Sequence, residues 1–153
     1  MNNEIERKYL INNFDSSECD EFYTIKQGYI HSGDGKVVRV RTYSDKGFIT
    51  VKYRKSKITR AEFEYEIPYE DAIDMLNNCC EDNILEKTRY IYKFKGKRWE
   101  IDVFEGFNKG IILGEIELEN ENEEFEVPAF VIREVTNNPE YSNHNMAKRR
   151  NSL

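Results

Sequence analysis

The chain predicts a mainly β fold, an eight-stranded antiparallel barrel closed on itself with a few helices packed outside. Three observations lead there. Segments of about seven to ten residues alternate apolar and charged side chains with period two. Turn signals such as "SGDGK", "SDKG" and "FKGK" separate several of them closely enough for hairpins, hence antiparallel pairing. About eight such strands within 153 residues, with no linker or repeat, imply one domain over 1–153 whose sheet closes.

In chain order the strands are "EIERKYL" (4–10), "YTIKQGYIH", "VVRVRTY", "GFITVKYRK", "RAEFEYEIP", "EKTRYIYKF", "RWEIDVFEG" and "IILGEIELEN". Each is rich in β-branched or aromatic residues. "YEDAIDMLNNCC" follows Pro68 and carries Ala72, Met75 and Leu76 at helical spacing, so a helix is expected there, ending at Cys79 and Cys80. A second short helix is expected in "SNHNMAKRRNSL", capped by Ser142 or Asn143. The stretch "FEVPAFVIREVTNNPE" (125–140) is ambiguous, with room for a short helix before Pro139.

Composition narrows the class. Hydrophobic residues are 39% and charged residues 34%, a balance close to that of disordered chains, but nine Phe and ten Tyr argue for a packed domain. A chain of this length buries roughly 70% of its unfolded surface. The net charge of −6 gives no general attraction to nucleic acid or to an anionic membrane, so neither is expected as a partner. No apolar stretch reaches membrane-spanning length and the N-terminus lacks a signal-peptide core. Three cysteines without metal-site spacing read as free thiols, and a cytoplasmic protein is expected. With only His31 and His144, a histidine metal site or a Ser-His-Asp triad is not expected.

Parity locates the chemistry. One face of the strands holds Glu4, Glu6 and Lys8; Arg39 and Arg41; Thr50 and Lys52; Glu62 and Glu64; Lys87 and Arg89; Glu100 and Asp102; Glu115 and Glu117. The other holds Ile5, Tyr9, Val38, Val40, Ile49, Val51, Phe63, Tyr65, Trp99, Ile101 and Ile116 among others. A sheet with one wet face alternates in the same way. Two details point further: the polar faces are almost wholly ionised, and the signs segregate by strand. Like charges two residues apart repel unless neighbouring strands, metals or a ligand offset them. Turned inward, these faces would make a charged channel with an apolar exterior that needs covering. Six basic groups, Lys8, Arg39, Arg41, Lys52, Lys87 and Arg89, could surround a polyphosphate. The pairs Glu4 with Glu6 and Glu115 with Glu117 are hard oxygen donors suited to Mg²⁺ or Mn²⁺.

The ordered series "EIERK", "RVR", "TVK", "EFE", "EKTRY", "EIDVF" and "EIE", closed by "EYSNHNMA", resembles the CYTH proteins, or triphosphate tunnel metalloenzymes, of the short single-domain bacterial type. That resemblance implies an eight-stranded tunnel that hydrolyses triphosphates with a divalent metal. It implies metal binding by Glu4, Glu6, Glu115 and Glu117, and phosphate binding by Lys8, Arg39, Arg41, Lys52, Lys87 and Arg89. Glu62, Glu64, Glu100 and Asp102 would orient the basic residues, bind metal through water or place the attacking water. The general base is left open between a carboxylate and a lysine of depressed pKa such as Lys87.

Other residues carry plainer expectations. Glu66 and Glu119 sit near strand ends and read as surface; Arg7, on the apolar parity, reads as paired with an outer acid. Tyr141 and Asn143 cap or pack the last helix, and "KRR" at 148–150 is read as a frayed tail. The expected reaction is hydrolysis of tripolyphosphate to pyrophosphate and phosphate. Nucleoside or thiamine triphosphate hydrolysis and adenylate cyclisation are alternatives on the same fold, with Tyr43 or Tyr53 able to stack on a ring. A non-catalytic polyphosphate-binding module is the alternative of another class, and a homodimer is possible.

Overall fold

A computed structural model of the chain describes residues 2–148. Nine strands run β1 (Asn3–Ile11), β2 (Phe22–Gly33), β3 (Lys36–Tyr43), β4 (Lys46–Arg54), β5 (Thr59–Ile67), β6 (Ile84–Phe94), β7 (Lys97–Phe104), β8 (Ile112–Glu117) and β9 (Val131–Glu134). Two α-helices, α1 (Tyr69–Asn78) and α2 (Asn143–Lys148), complete the fold with three single turns of 3-10 helix.

The sheet order is β5-β4-β3-β2-β6-β7-β8-β1, and β1 pairs back onto β5, so eight strands close into an antiparallel barrel. Closure uses the first residues of β1, with Glu4 opposite Arg60; the rest of β1 passes to β8 and β9. β9 is an additional strand hung on β1 outside the closed ring. It occupies the ambiguous stretch before Pro139, where a short helix had room; the turn of helix that does form, Pro139–Tyr141, begins at the proline, whose fixed φ suits a first helical position.

The barrel is turned inside out relative to an ordinary core. Charged rows face inward, so the apolar rows face outward and need covers. α1 supplies one: Ala72 and Leu76 pack with Val40 and Cys80 over β3 and β4. A larger cover is not helical. Phe125, Phe130 and Val131, with Phe14, lie over Tyr9, Trp99, Ile101 and Ile116 of β1, β7 and β8 and over Leu118 just past β8. Trp99 is fully buried there, its ring 5.5 Å from Tyr9 and 6.0 Å from Phe125. Beyond the reach of α1, Val51 and Tyr53 of β4 and Tyr65 of β5 are exposed on the outer face. Arg7, on the outer parity, forms the expected pair with an outer acid, Glu134.

The second helix, α2, lies across one end of the barrel. Met146 and Ala147 meet Tyr29, Leu85, Phe104 and Leu113, the inward residues at that end, and make an apolar floor. The C-terminal run expected to continue from Arg149 lies outside the described residues.

At Gly28 on β2 the outer face is pressed against the end of α1: a Cβ there would stand 2.6 Å from Cys80 Sγ and 3.0 Å from Leu76 Cδ2. Gly28→Ala is therefore expected to cost about 1–3 kcal/mol by overpacking. The measurement is urea unfolding, where the midpoint should fall with the slope unchanged. A variant as stable as the parent would mean that α1 does not seat there.

Candidate active site

Strand parity places the charged residues, and strand order decides which of them meet. Around the barrel, β4, β3, β2 and β6 are consecutive, bearing Lys52, then Arg39 and Arg41, then the uncharged Gln27 and Tyr29, then Lys87 and Arg89. The other four, β7, β8, β1 and β5, bear Glu100 and Asp102, Glu115 and Glu117, Glu4 and Glu6, and Glu62 and Glu64. The interior thus has a basic half facing an acidic half, with Lys8 and Arg60 as cations on the acidic side. It encloses a cavity of about 380 Å³. Nine Lys or Arg and seven Glu line that space, a formal excess of two positive charges inside a chain of net charge −6.

The halves are stitched at two seams. At β4/β5, Lys52 Nζ lies 3.0 Å from Glu4 and 3.2 Å from Glu62, while Glu64 takes Arg39 and Arg41 at 3.3 Å each and the Thr50 hydroxyl at 2.7 Å. At β6/β7, Asp102 is wholly buried, and its two oxygens accept from Lys87 Nζ at 2.7 Å and from Arg89 Nε and Nη2 at 2.8 and 3.0 Å. Arg89 also reaches Glu100 at 3.2 Å and Glu115 at 3.5 Å, and Lys8 meets Glu115 at 3.7 Å.

This layout sets the protonation of the groups. Burial pulls the Lys87 ammonium down to about 8, against the opposing pull of Asp102. Burial also lowers the Arg41 guanidinium, to about 10, helped by its like-charged neighbours Arg39 and Arg89. Burial pushes the carboxyls of Glu64 and Glu115 up, yet Arg41 with Thr50 in the first case and Lys8 with Arg89 in the second hold both below the ordinary carboxylate range. Glu6 and Glu117 behave oppositely. They are register partners, directly opposed on β1 and β8, and neither has an ion-pair partner among the described residues. Burial and then Glu115 and Glu4 push Glu6 well up; burial and then Glu4, Glu100 and Glu62 raise Glu117. On the basic side, the Nε atoms of Arg39 and Arg41 are buried without any hydrogen-bond acceptor among the described residues. Buried donors left open in this way call for an anion.

The CYTH domain profile matches residues 2–149 of the chain. The chain belongs to the CYTH family. An inorganic triphosphatase of Acetivibrio thermocellus is 42% identical over 97% of this chain and 95% of its own length. An inorganic triphosphatase of Nitrosomonas europaea is 32% identical over 94% of this chain and 96% of its own. A crystal structure of an inorganic triphosphatase superposes with a TM-score of 0.68 at 32% identity, covering 94% of this chain and 93% of the other.

Thirteen of the fourteen residues singled out from the sequence line this CYTH cavity. Asp102 is the exception, lying behind Lys87 and Arg89, where it positions both. Glu66 and Glu119 are exposed and outside the cavity, as expected. Asn143 does more than end a helix: its Oδ1 accepts from Lys87 Nζ at 3.0 Å and from Gln27 Nε2 at 3.2 Å. Gln27, Tyr29, Arg54, Arg60 and His144 were not singled out, although the last four line the cavity and Gln27 faces it from β2. Arg54 and Arg60 share the parity of Lys52 and Glu62, so the same alternation carried one step further finds them. Neither Tyr43 nor Tyr53 lines the cavity: Tyr43 packs on Tyr23 and Arg41, and Tyr53 is on the exposed outer face.

The acidic half also fits a divalent cation. Among the described residues no three metal-ligating side chains converge on one point. The directly opposed Glu6 and Glu117, their carboxyls pushed up by burial and then by neighbouring carboxylates, are hard oxygen donors whose charge a cation would relieve. A hard divalent cation would suit such an open set, held by one or two carboxylates with waters and substrate phosphates.

Removing Asp102 leaves two buried cations short of their shared anion. Asp102→Ala is expected to destabilise by about 3–5 kcal/mol, seen as a lower urea midpoint. A loss below about 1 kcal/mol, the range of an exposed pair, would mean that Glu100 and Glu115 already neutralise Arg89 without it.

Proposed function

We propose that this CYTH protein hydrolyses inorganic triphosphate to pyrophosphate and phosphate inside the tunnel, with Mg²⁺ or Mn²⁺ bound on the acidic side. The observation that carries the reading is the cavity wall. Two guanidinium Nε donors stand open on a basic half that faces an acidic half with an unneutralised carboxylate pair. Tyr29 is the only Phe, Tyr or Trp in that wall among the described residues, and its ring is engaged edge-on with His144, 6.2 Å away. A nucleobase or a thiazolium would find little to stack on. The two relatives above are named inorganic triphosphatases and match over nearly their whole length, which supports the same substrate here.

Arg39, Arg41 and Arg89 would grip phosphate oxygens, with Lys8 and Lys52 as point charges beside them. Glu64 and Asp102 hold those groups in place through the bonds described. A divalent cation held by Glu6 and Glu117 would neutralise charge on the phosphates and make a neighbouring water more acidic. Lys87 is the base favoured by position. Its Nζ is fixed by Asp102 and Asn143 at the cavity wall, and a pKa of about 8 leaves it neutral in about a tenth of molecules at pH 7. As water adds to the terminal phosphorus, Nζ takes its proton, and the bridging P–O bond breaks with its electron pair leaving on pyrophosphate.

The assay is phosphate release from tripolyphosphate, ATP, GTP and thiamine triphosphate with each metal. Metal-stimulated release from tripolyphosphate is expected to dominate, and Arg39→Ala or Glu117→Ala should lower kcat/KM by about a hundredfold or more. Cyclic AMP from ATP, or tight tripolyphosphate binding with no release, would overturn the reading.

The pH profile tests the base. Only neutral Lys87 accepts the proton, so kcat should climb with pH and level off above about 8. Asp102→Asn removes an anion that favours the ammonium, so the climb should move to lower pH. If Lys87→Ala keeps the same ascending limb, the base is another group.

A further inference from the structure

The apolar floor across the α2 end of the tunnel has a gap. β1, β2, β3, β6, β7 and β8 each contribute an inward apolar or aromatic residue to it: Leu10, Tyr29, Val37, Leu85, Phe104 and Leu113. No residue of β4 or β5 joins that cluster. There the inward rows end in Arg54 and Arg60, which are register partners and therefore two like charges directly opposed.

A second cavity of about 290 Å³ lies at this gap, walled by Lys36, Lys52, Arg54, Arg60 and His144 against Gly33 and Gly35 of the β2–β3 hairpin. Lys52, Arg54, Arg60 and His144 also line the tunnel, so the two spaces adjoin. The side cavity has no carboxylate in its wall. In the tunnel, Lys8, Arg39, Arg41, Lys52, Lys87 and Arg89 each have a carboxylate within 3.7 Å. Lys36, Arg54 and Arg60 form no ion pair with any described residue. His144 registers that surplus: burial and then the cations around it, Arg60, Lys148, Lys8 and Arg54, hold its pKa down to about 4. Beside the glycines and Val37, the charged groups of the wall are all cationic, so the site favours a compact anion.

We propose that the gap is a second phosphate subsite, formed by Lys36, Arg54 and Arg60, which takes a phosphate group lying beyond the triphosphate clamp at the α2 end. The inference rests on the triphosphatase reading for the source of that group: the orthophosphate product, or the next phosphate of a longer linear chain. Cleaving a triphosphate stretched along a tunnel leaves two products in file. The one at the floor leaves without passing the other only through a lateral gap. The same gap gives a fourth phosphate somewhere to lie.

The test is the double variant Lys36→Ala/Arg54→Ala, two exposed positions whose loss should leave the urea midpoint unchanged. Calorimetric titration without metal, and so without turnover, compares orthophosphate, tripolyphosphate and tetrapolyphosphate on the parent and the variant. Orthophosphate inhibition of tripolyphosphate hydrolysis is measured alongside. If the fourth phosphate is the occupant, the parent binds tetrapolyphosphate more tightly than tripolyphosphate, and the variant loses about tenfold of that preference. If the product is the occupant, the preference is absent and the orthophosphate inhibition constant rises about tenfold in the variant. An equal loss for every anion would reduce the gap to general field, and no change in any of them would remove the subsite; either result overturns the proposal. Binding is read separately from hydrolysis. A chain that shows the selectivity but releases no phosphate retains the subsite and loses the hydrolase, and a hydrolase without the selectivity is the converse.

Discussion

Every feature of this tunnel depends on closing the barrel so that strands of like charge become neighbours of opposite charge only at two seams. Within a strand, Arg39 with Arg41, or Glu115 with Glu117, are repulsive pairs on one face. Such rows persist in a folded protein only if something across the lumen or along a seam answers them. Lys52 with Glu62 and Glu4, and the buried Arg89–Asp102–Lys87 cluster, are those answers. A buried pair of this kind adds little net stability, since desolvation offsets the attraction. Its effect is to hold guanidinium and ammonium groups at fixed positions before any substrate arrives, which is what electrostatic stabilisation of a transferring phosphoryl group requires.

The strand β2, whose inward pair Gln27 and Tyr29 is uncharged, has a part in this that its composition hides. It lies between β3 and β6, which carry the inward pairs Arg39 with Arg41 and Lys87 with Arg89. With Gln27 and Tyr29 facing inward there, it spaces the two arginine-bearing strands without diluting the field between them. Arg41 still feels Arg89 across it, as its lowered pKa records. A carboxylate at Gln27 would neutralise the half of the tunnel that has to attract phosphate. The Gln27 amide instead donates to the Tyr29 hydroxyl and to Asn143, tying the spacer to the floor helix.

Period-two alternation made most of the site legible, because the side-chain period of a strand is fixed by backbone geometry and needs no tertiary information. That is why thirteen residues from seven strands arrive in one cavity. What alternation cannot show is which strands adjoin. The contacts of β2 with β6 and of β1 with β5 join segments distant in the chain, and the basic and acidic halves exist only through them. Asn143 was hidden for a related reason: it reaches the site by the docking of α2 across the barrel end, a contact no local pattern encodes. The cover from Phe125 to Val131 has neither helical nor strand period over most of its length, so its role in packing Trp99 was invisible until the outer face was seen to need it.

The seams leave a directly opposed like-charge pair of each sign without an ion-pair partner among the described residues. Glu6 with Glu117 is an acidic excess beside the clamp; Arg54 with Arg60 is a basic surplus at the floor. In a solvated sheet such pairs would be minor costs, screened within about 8 Å at physiological salt. Facing one lumen, each is a charge excess that a ligand of the other sign would relieve. A divalent cation would meet the first and a phosphate the second. A triphosphate carrying its metal would bring both charges together and answer the acidic excess and the open arginine donors at once, where either ion alone would leave the other unmet. The chain's overall negative charge acts in the same direction, since a polyanion gains nothing from the outer surface and finds its counter-charge inside.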